Sequence, residues 1–149
     1  MRRWGRIAGR LRPTLNFILI YLARFVPWVE IKNSMYRLTG MRVGRNVSVG
    51  LFAMFDIFFP HLISIGDNSV IGYNTTILAH EFLVDEWRTG RVNIGKNVLI
   101  GANSTVLPGV DVGDGAVIGA LSLVNCDVPP GAFYAGIPAR PVKAKDQRR

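Results

Sequence analysis

From Val43 onward an isoleucine or valine recurs every six residues: Val43 and Val49, then Ile65, Ile71 and Ile77, then Ile94, Ile100 and Val106, then Val112, Ile118 and Val124. A period of six fits neither the 3.6-residue repeat of a helix nor the alternation of a long strand. It predicts short strands joined by corners, each aiming one β-branched side chain inward. Glycine directly follows eight of these residues but not Ile77, Val106 or Val124, so a period of eighteen overlies the period of six. Three sides would then close one triangular coil, and successive coils would stack at roughly 4.8 Å as a parallel β-helix. The glycines mark corners that are tightly turned or closely approached. The pattern predicts an all-β domain of about four coils over residues 41–139. The register breaks near Phe55 to Ser64 and again over 81–93, where an extruded loop is expected; such breaks often carry function.

The first forty residues differ, with a basic opening and the apolar stretch Leu15 to Ala23 (LNFILIYLA), which is far shorter than the ~20 residues of a membrane span. The charge order resembles a secretory signal, but no small-x-small cleavage site follows. Residues 1–40 are therefore read as a basic and apolar helical segment. Leu15, Phe17, Ile18, Ile20, Tyr21, Leu22 and Phe25 surround such a helix nearly all the way, with Asn16 and Arg24 on one face. Two readings suit it: peripheral membrane contact through residues 1–26, with Arg2, Arg3, Arg6, Arg10 and Arg12 on anionic headgroups, or packing against the domain or a partner subunit.

With 49% hydrophobic and 19% charged residues, the 149-residue chain has the composition of one folded domain. Its net charge of +8 is uneven: +9 over residues 1–45, −5 over 46–139 and +4 over the basic tail 140–149. Because the basic residues are terminal and the body has no stripe of alternating basic and aromatic residues, nucleic acid is not an expected partner. The single Cys126 allows no internal disulfide, and with only His61 and His80 beside it no closed zinc site is expected. A reducing, cytoplasmic setting follows, at the inner face of the membrane if the N-terminal segment binds lipid.

The segments IGDNSVIGYNTTILAH (65–80), IGKNVLIGANSTVLPGVDVGDGAVIGALSLV (94–124) and DVPPGAFYAGIPARPVK (127–143) resemble the hexapeptide-repeat acyltransferases, of the maltose and galactoside O-acetyltransferase and streptogramin acetyltransferase type. A dinucleotide fingerprint around Gly113, Gly115 and Gly119 fails, because no long helix follows and the pattern recurs in other layers. The resemblance implies a left-handed β-helix, a homotrimer, and transfer of an acetyl group from acetyl-CoA to a hydroxyl of a sugar, glycan precursor or similar acceptor, an acyl-CoA-dependent activity of class EC 2.3.1.- with no metal. The carbonic anhydrase branch of this architecture needs three metal histidines, and two are present.

In that family the histidine before the loop is the general base, which places the role on His80; a neutral imidazole suits proton removal near pH 7. His61 has no such context and reads as structural or exposed. Counting along the glycine-free side puts Asp56 and His80 on one face, where Asp56 either hydrogen-bonds an acceptor hydroxyl or caps a loop. Glu81 either orients the imidazole and meets the acceptor or points away, and Trp87 stacks on a sugar or on a neighbouring subunit. Phe52 to Phe59 would line an acceptor pocket or a subunit interface. For the donor, the resemblance places pantetheine against Ala102 and Ala120. Asn125 and Cys126 stand where the family often has Thr-Lys, so Arg140 or Lys143 would supply the charge for a CoA phosphate. Cys126 reads as a small buried or interface thiol. The alternative function is a non-catalytic trimeric scaffold or a membrane-docked accessory protein.

Overall fold

The computed structural model describes residues 11–142; Arg2, Arg3, Arg6, Arg10 and Lys143 lie outside the described residues. Two helices, α1 (Leu11–Ala23) and α2 (Val29–Leu38), precede sixteen short strands. The first three are β1 (Arg42–Val43), β2 (Ser48–Val49) and β3 (Met54–Phe55), and a 3₁₀ turn, Pro60–Leu62, leads to β4 (Ile63–Ile65), β5 (Val70–Ile71) and β6 (Thr76–Ile77). A hairpin follows, β7 (His80–Phe82) with β8 (Trp87–Thr89). The chain then continues through β9 (Val92–Ile94), β10 (Leu99–Ile100), β11 (Thr105–Val106), β12 (Asp111–Val112), β13 (Val117–Ile118) and β14 (Leu123–Val124), and ends in β15 (Phe133–Ala135) and β16 (Arg140–Pro141).

Every third strand stacks on its predecessor, giving three parallel sheets: sheet A in the order β1-β4-β9-β12, sheet B with β2, β5, β10, β13 and β15, and sheet C in the order β3-β6-β11-β14. β16 closes sheet B antiparallel against β15. The eleven periodic Ile and Val residues all point inward and are nine per cent exposed or less. Phe55 fills the corresponding position in β3, paired with Ile77. Ile94 pairs with Val112, eighteen positions on, whereas Val43 pairs with Ile65 and Ile65 with Ile94, so the first interval carries four extra residues and the second eleven. Both insertions fall at the corner between sheets C and A, and they therefore lie in adjacent layers. The second is shorter than the loop expected over 81–93, because Val92 and Asn93 already belong to β9.

The corners divide labour in a way the glycine pattern did not show. The turn itself is made two residues after the glycine, in left-handed conformation, by Asn46, Asn68 and Asn97 at one corner and by Phe52, Asn74, Asn103 and Leu121 at the next. Asparagine tolerates that conformation, and its side chains hydrogen-bond between layers, Asn74 Nδ2 to Asn103 Oδ1 at 2.9 Å. The glycines are needed for space instead: a Cβ on Gly66 would lie 2.6 Å from the Gly95 carbonyl carbon, and one on Gly72 would lie 2.6 Å from the Ala102 amide. Inside the second corner stand Thr75, Ser104 and Ser122, all buried, whose hydroxyls donate to the carbonyls of Gly101 and Gly119.

The helices cover the open end of this stack. The first layer has no strand beneath it, so its carbonyls that face away from the second layer must find side-chain donors. Asn33 Nδ2 donates to Val47 O at 2.8 Å, Lys32 Nζ to Val49 O at 2.9 Å and Gly50 O at 3.0 Å, and the Arg37 guanidinium to Val43 O and Gly44 O. Burial holds the Lys32 pKa below the ordinary lysine value. In α1, Asn16 is buried and donates to Ile57 O at 3.0 Å, while Arg24 lies over the rings of Tyr21 and Phe52, so the two residues do not form one solvent-facing polar strip.

Gly66→Ala should lower the unfolding free energy by about 1–3 kcal/mol, because the added methyl meets backbone of the next layer rather than a yielding side chain. Leu121→Asn, at a left-handed corner its neighbours fill with asparagine, should raise it by roughly 0.5–1 kcal/mol. Urea titration of both variants measures the two shifts.

Candidate functional site

The paired insertions build one site at the corner between sheets C and A. Phe55 lies under Ile77 in sheet C, and Asp56, the next residue, lets its amide continue the ladder to Ile77 O at 3.0 Å. Its side chain then turns inward under the second layer and is fully buried. Oδ1 accepts from the amides of Phe58 and Phe59, at 2.9 and 3.0 Å, and so holds the four-residue insertion in a tight turn. Oδ2 accepts from the Ala79 amide at 2.8 Å and from His80 Nδ1. Burial by itself would raise the pKa of this carboxyl. The hydrogen bond and charge of His80 and the amides of Phe59 and Ala79 outweigh that effect, and the pKa lies below the ordinary aspartate value.

An ionised carboxylate only accepts hydrogen bonds, so Nδ1 carries the proton in the His80–Asp56 pair. In the neutral ring Nε2 is then left with its lone pair. The imidazole side chain is thirteen per cent exposed, enough to reach a solute from a largely dry setting. Four aromatic side chains form that setting. The rings of Phe58, Phe59 and Phe82 stand 5.2, 5.7 and 4.5 Å from the imidazole between centroids, and Trp87 stacks on Phe59 at 5.9 Å with the planes 11° apart. Phe58 and Phe59 come from the first insertion; Phe82 and Trp87 form a cross-strand pair in the hairpin of the second. The hairpin leaves and rejoins the coil at a single point, where the Gly90 amide donates to Ala79 O at 3.0 Å.

Several expected positions are thereby settled in space. Asp56 reaches His80 but cannot meet an acceptor hydroxyl, because its carboxylate has no exposed surface and both oxygens are engaged. Glu81 does not orient the imidazole either: successive strand residues point to opposite faces, and Phe82, two residues from His80, is the one that contacts the ring. Glu81 lies opposite Arg88 on the other face of the hairpin. His61 is exposed and touches Phe59 edge-on, at the margin of the cluster. Phe82 had no signal in the sequence beyond its place two residues after His80.

The donor candidates lie elsewhere. Ala102 and Ala120 are stacked at the corner between sheets B and C, with the Leu121 amide bonded to Ala102 O at 2.9 Å. In the two lower layers the same corner carries Leu51–Phe52 and Tyr73, so small side chains follow large ones along one edge. Asn125 is exposed one corner further on, and Arg140 Nη1 reaches its Oδ1 at 3.5 Å. Cys126 is half-buried. The His80 corner and the alanine corner are separated by the full width of sheet C.

This architecture meets its counterparts among known proteins. The family model for the hexapeptide repeat of succinyl-transferase matches residues 62–79 and 91–120, stopping and resuming on either side of the hairpin. A Bacillus subtilis (strain 168) relative, "Putative acetyltransferase YvoF", is 52% identical over 138 residues, 92% of this chain and 80% of its own. The galactoside O-acetyltransferase of Escherichia coli (strain K12) is 33% identical over 130 residues, 81% of this chain and 62% of its own. Among solved structures, a hexapeptide-repeat-containing acetyltransferase of Vibrio cholerae, complexed with acetyl coenzyme A, superposes with a TM-score of 0.78 at 22% identity, over 93% of this chain and 90% of that one. The chain is thus a hexapeptide-repeat protein by fold. By sequence it belongs to the hexapeptide-repeat acyltransferases.

Because the folded-state pKa of Asp56 is depressed, its contribution to stability is complete above the ordinary aspartate value of 3.8 and is lost as pH falls through the lower folded value. Between those limits wild type should lose stability with acid more steeply than Asp56→Asn, which carries no such proton. Urea midpoints compared across that range for both proteins check the sign.

Proposed function

We propose that the protein transfers an acetyl group from acetyl-CoA to a hydroxyl of a sugar, glycan precursor or similar acceptor, with His80 as general base and Asp56 as its positioning residue. The observation that carries this reading is the buried Asp56 carboxylate bonded to His80 Nδ1, which leaves Nε2 as the basic atom facing the aromatic cluster. The acceptor hydroxyl gives its proton to Nε2 as its oxygen attacks the thioester carbonyl carbon. The tetrahedral intermediate collapses with cleavage of the carbon–sulfur bond, and the imidazolium returns the proton to the departing CoA sulfur. Product ester and free CoA result, and the histidine ends neutral. Asp56 stabilises the transient imidazolium and fixes the ring, as the carboxylate does in a Ser-His-Asp triad.

Trp87 and Phe82 are exposed at the rim, and an apolar face beside a base suits a sugar ring, whose C–H face stacks on aromatics while its hydroxyls meet polar groups. The donor lies against Ala102 and Ala120, and Arg140 or Lys143 supplies the charge for the CoA phosphates. Asn125 occupies the site of the family's threonine and engages Arg140. Sheet C separates that corner from His80 within one chain, which supports a homotrimer of left-handed coils, about four to a chain, with base and donor brought together from neighbouring subunits. The name and cofactor of the acetyl-CoA-bound Vibrio neighbour support the same donor.

His80→Ala should lower kcat by on the order of a hundredfold or more while calorimetric titration with acetyl-CoA gives unchanged affinity. Full turnover in that variant, or no donor binding by folded wild type, would leave the scaffold reading in its place. Asp56→Asn should lower kcat by roughly tenfold or more, with KM for acetyl-CoA little changed, since it disturbs the base and not the donor groove.

A further inference from the structure

We infer that α1 and the turn after it dock the protein on an anionic membrane surface, with the helix lying in the headgroup region. The observation is an inverted amphipathic helix. The face of α1 turned to the coil carries Pro13, Asn16, Ile20 and Ala23, small or polar except for one isoleucine. The outer face carries Leu11, Leu15, Ile18 and Leu22, at three- and four-residue spacing, with exposures of 82, 60, 44 and 52%. Phe25 and Trp28, exposed in the turn between the helices, continue it. An ordinary surface helix places its apolar stripe inward. Here Asn16, bonded to Ile57 O, shares the inward face with Ile20 and Ala23, both fully buried, and the larger apolar face is left to a partner.

Charge selects that partner. The sequence has six arginines and no acid before Glu30, and Arg12 is exposed beside the apolar stripe. A second copy of this chain carries the same excess of positive charge in this stretch of sequence, whereas anionic lipid supplies both the apolar layer and the counter-charge. Tryptophan and phenylalanine at the edge of such a face suit the interfacial region, where an apolar ring and a polar layer meet. No helix of the described residues is long and apolar enough to cross a membrane, so α1 would lie on the surface and not span it. This inference stands apart from the acyl-transfer reading.

The full-length protein is to be sedimented with phosphatidylcholine vesicles, with and without phosphatidylglycerol. Wild type should bind the anionic vesicles, bind the neutral ones poorly, and lose binding as salt is raised. Leu15→Gln/Leu22→Gln, which alters exposed positions, should bind at least about tenfold more weakly with unchanged mass by light scattering. No binding to anionic vesicles, undiminished binding by the double variant, or a fall in its oligomeric mass would each overturn the proposal, the last by assigning the face to another subunit. Brominated lipid gives a reading that needs no change in α1. It should quench wild type more than Trp28→Phe, and equal quenching would overturn the proposal as well.

Discussion

A strand in the first layer of the coil has a neighbouring strand on one side alone, so the backbone groups it turns to the other side must be paired by something other than a strand. That requirement accounts for features of this molecule that otherwise look unrelated. A lysine and an asparagine on α2 and an asparagine on α1 point into the protein instead of into water, and an exposed arginine on α2 turns back to the coil, because they finish its hydrogen bonding at this end. Lys32 gives up part of its basicity to do so. With Asn16 turned to the coil, α1 sends Ile20 and Ala23 into the core, and its other large apolar residues face outward. At the far end the solution differs: β16 folds back antiparallel on β15 and ends the stack without a helix.

The same layered register explains how residues twenty-four positions apart, Asp56 and His80, come to form a hydrogen-bonded pair. Insertions at any corner of a stacked coil are neighbours only if they share that corner, and the first and second insertions do. Asp56 serves the turn of the first and the base of the second at once, two amides on one oxygen and an amide and an imidazole on the other. Its burial would be costly for a lone carboxylate. Four donors make it a stable anion, and the largely covered imidazole acquires a fixed tautomer.

The repeating positions were legible because their physics is local: a β-branched residue followed by glycine, at a spacing set by one side of a triangle, admits few other structures. The position of His80 before an extruded segment was legible for the same reason. The role of Asp56 was not, since it depends on whether four inserted residues rotate the chain as it re-enters the coil, and only the closed turn through Phe58 and Phe59 decides that. Glycine was read as marking either a tight turn or a close approach; asparagine turns and glycine makes room, a distinction that needs the next layer to be in view. The serines and threonine inside the second corner gave no periodic signal by hydrophobicity, although they are as buried as the isoleucines. The orientation of α1 could not follow from a segment apolar nearly all round.

The hairpin that carries Phe82 and Trp87 begins and ends at two residues, Ala79 and Gly90, joined to each other by a hydrogen bond. A segment with touching feet places no demand on the scaffold for its length or content, since the layers above and below meet the same backbone whether it is present, longer or absent. The coil can therefore keep its stacking unchanged while the hairpin beyond His80 diverges, and differences in the surface beside that histidine would accumulate in this one module.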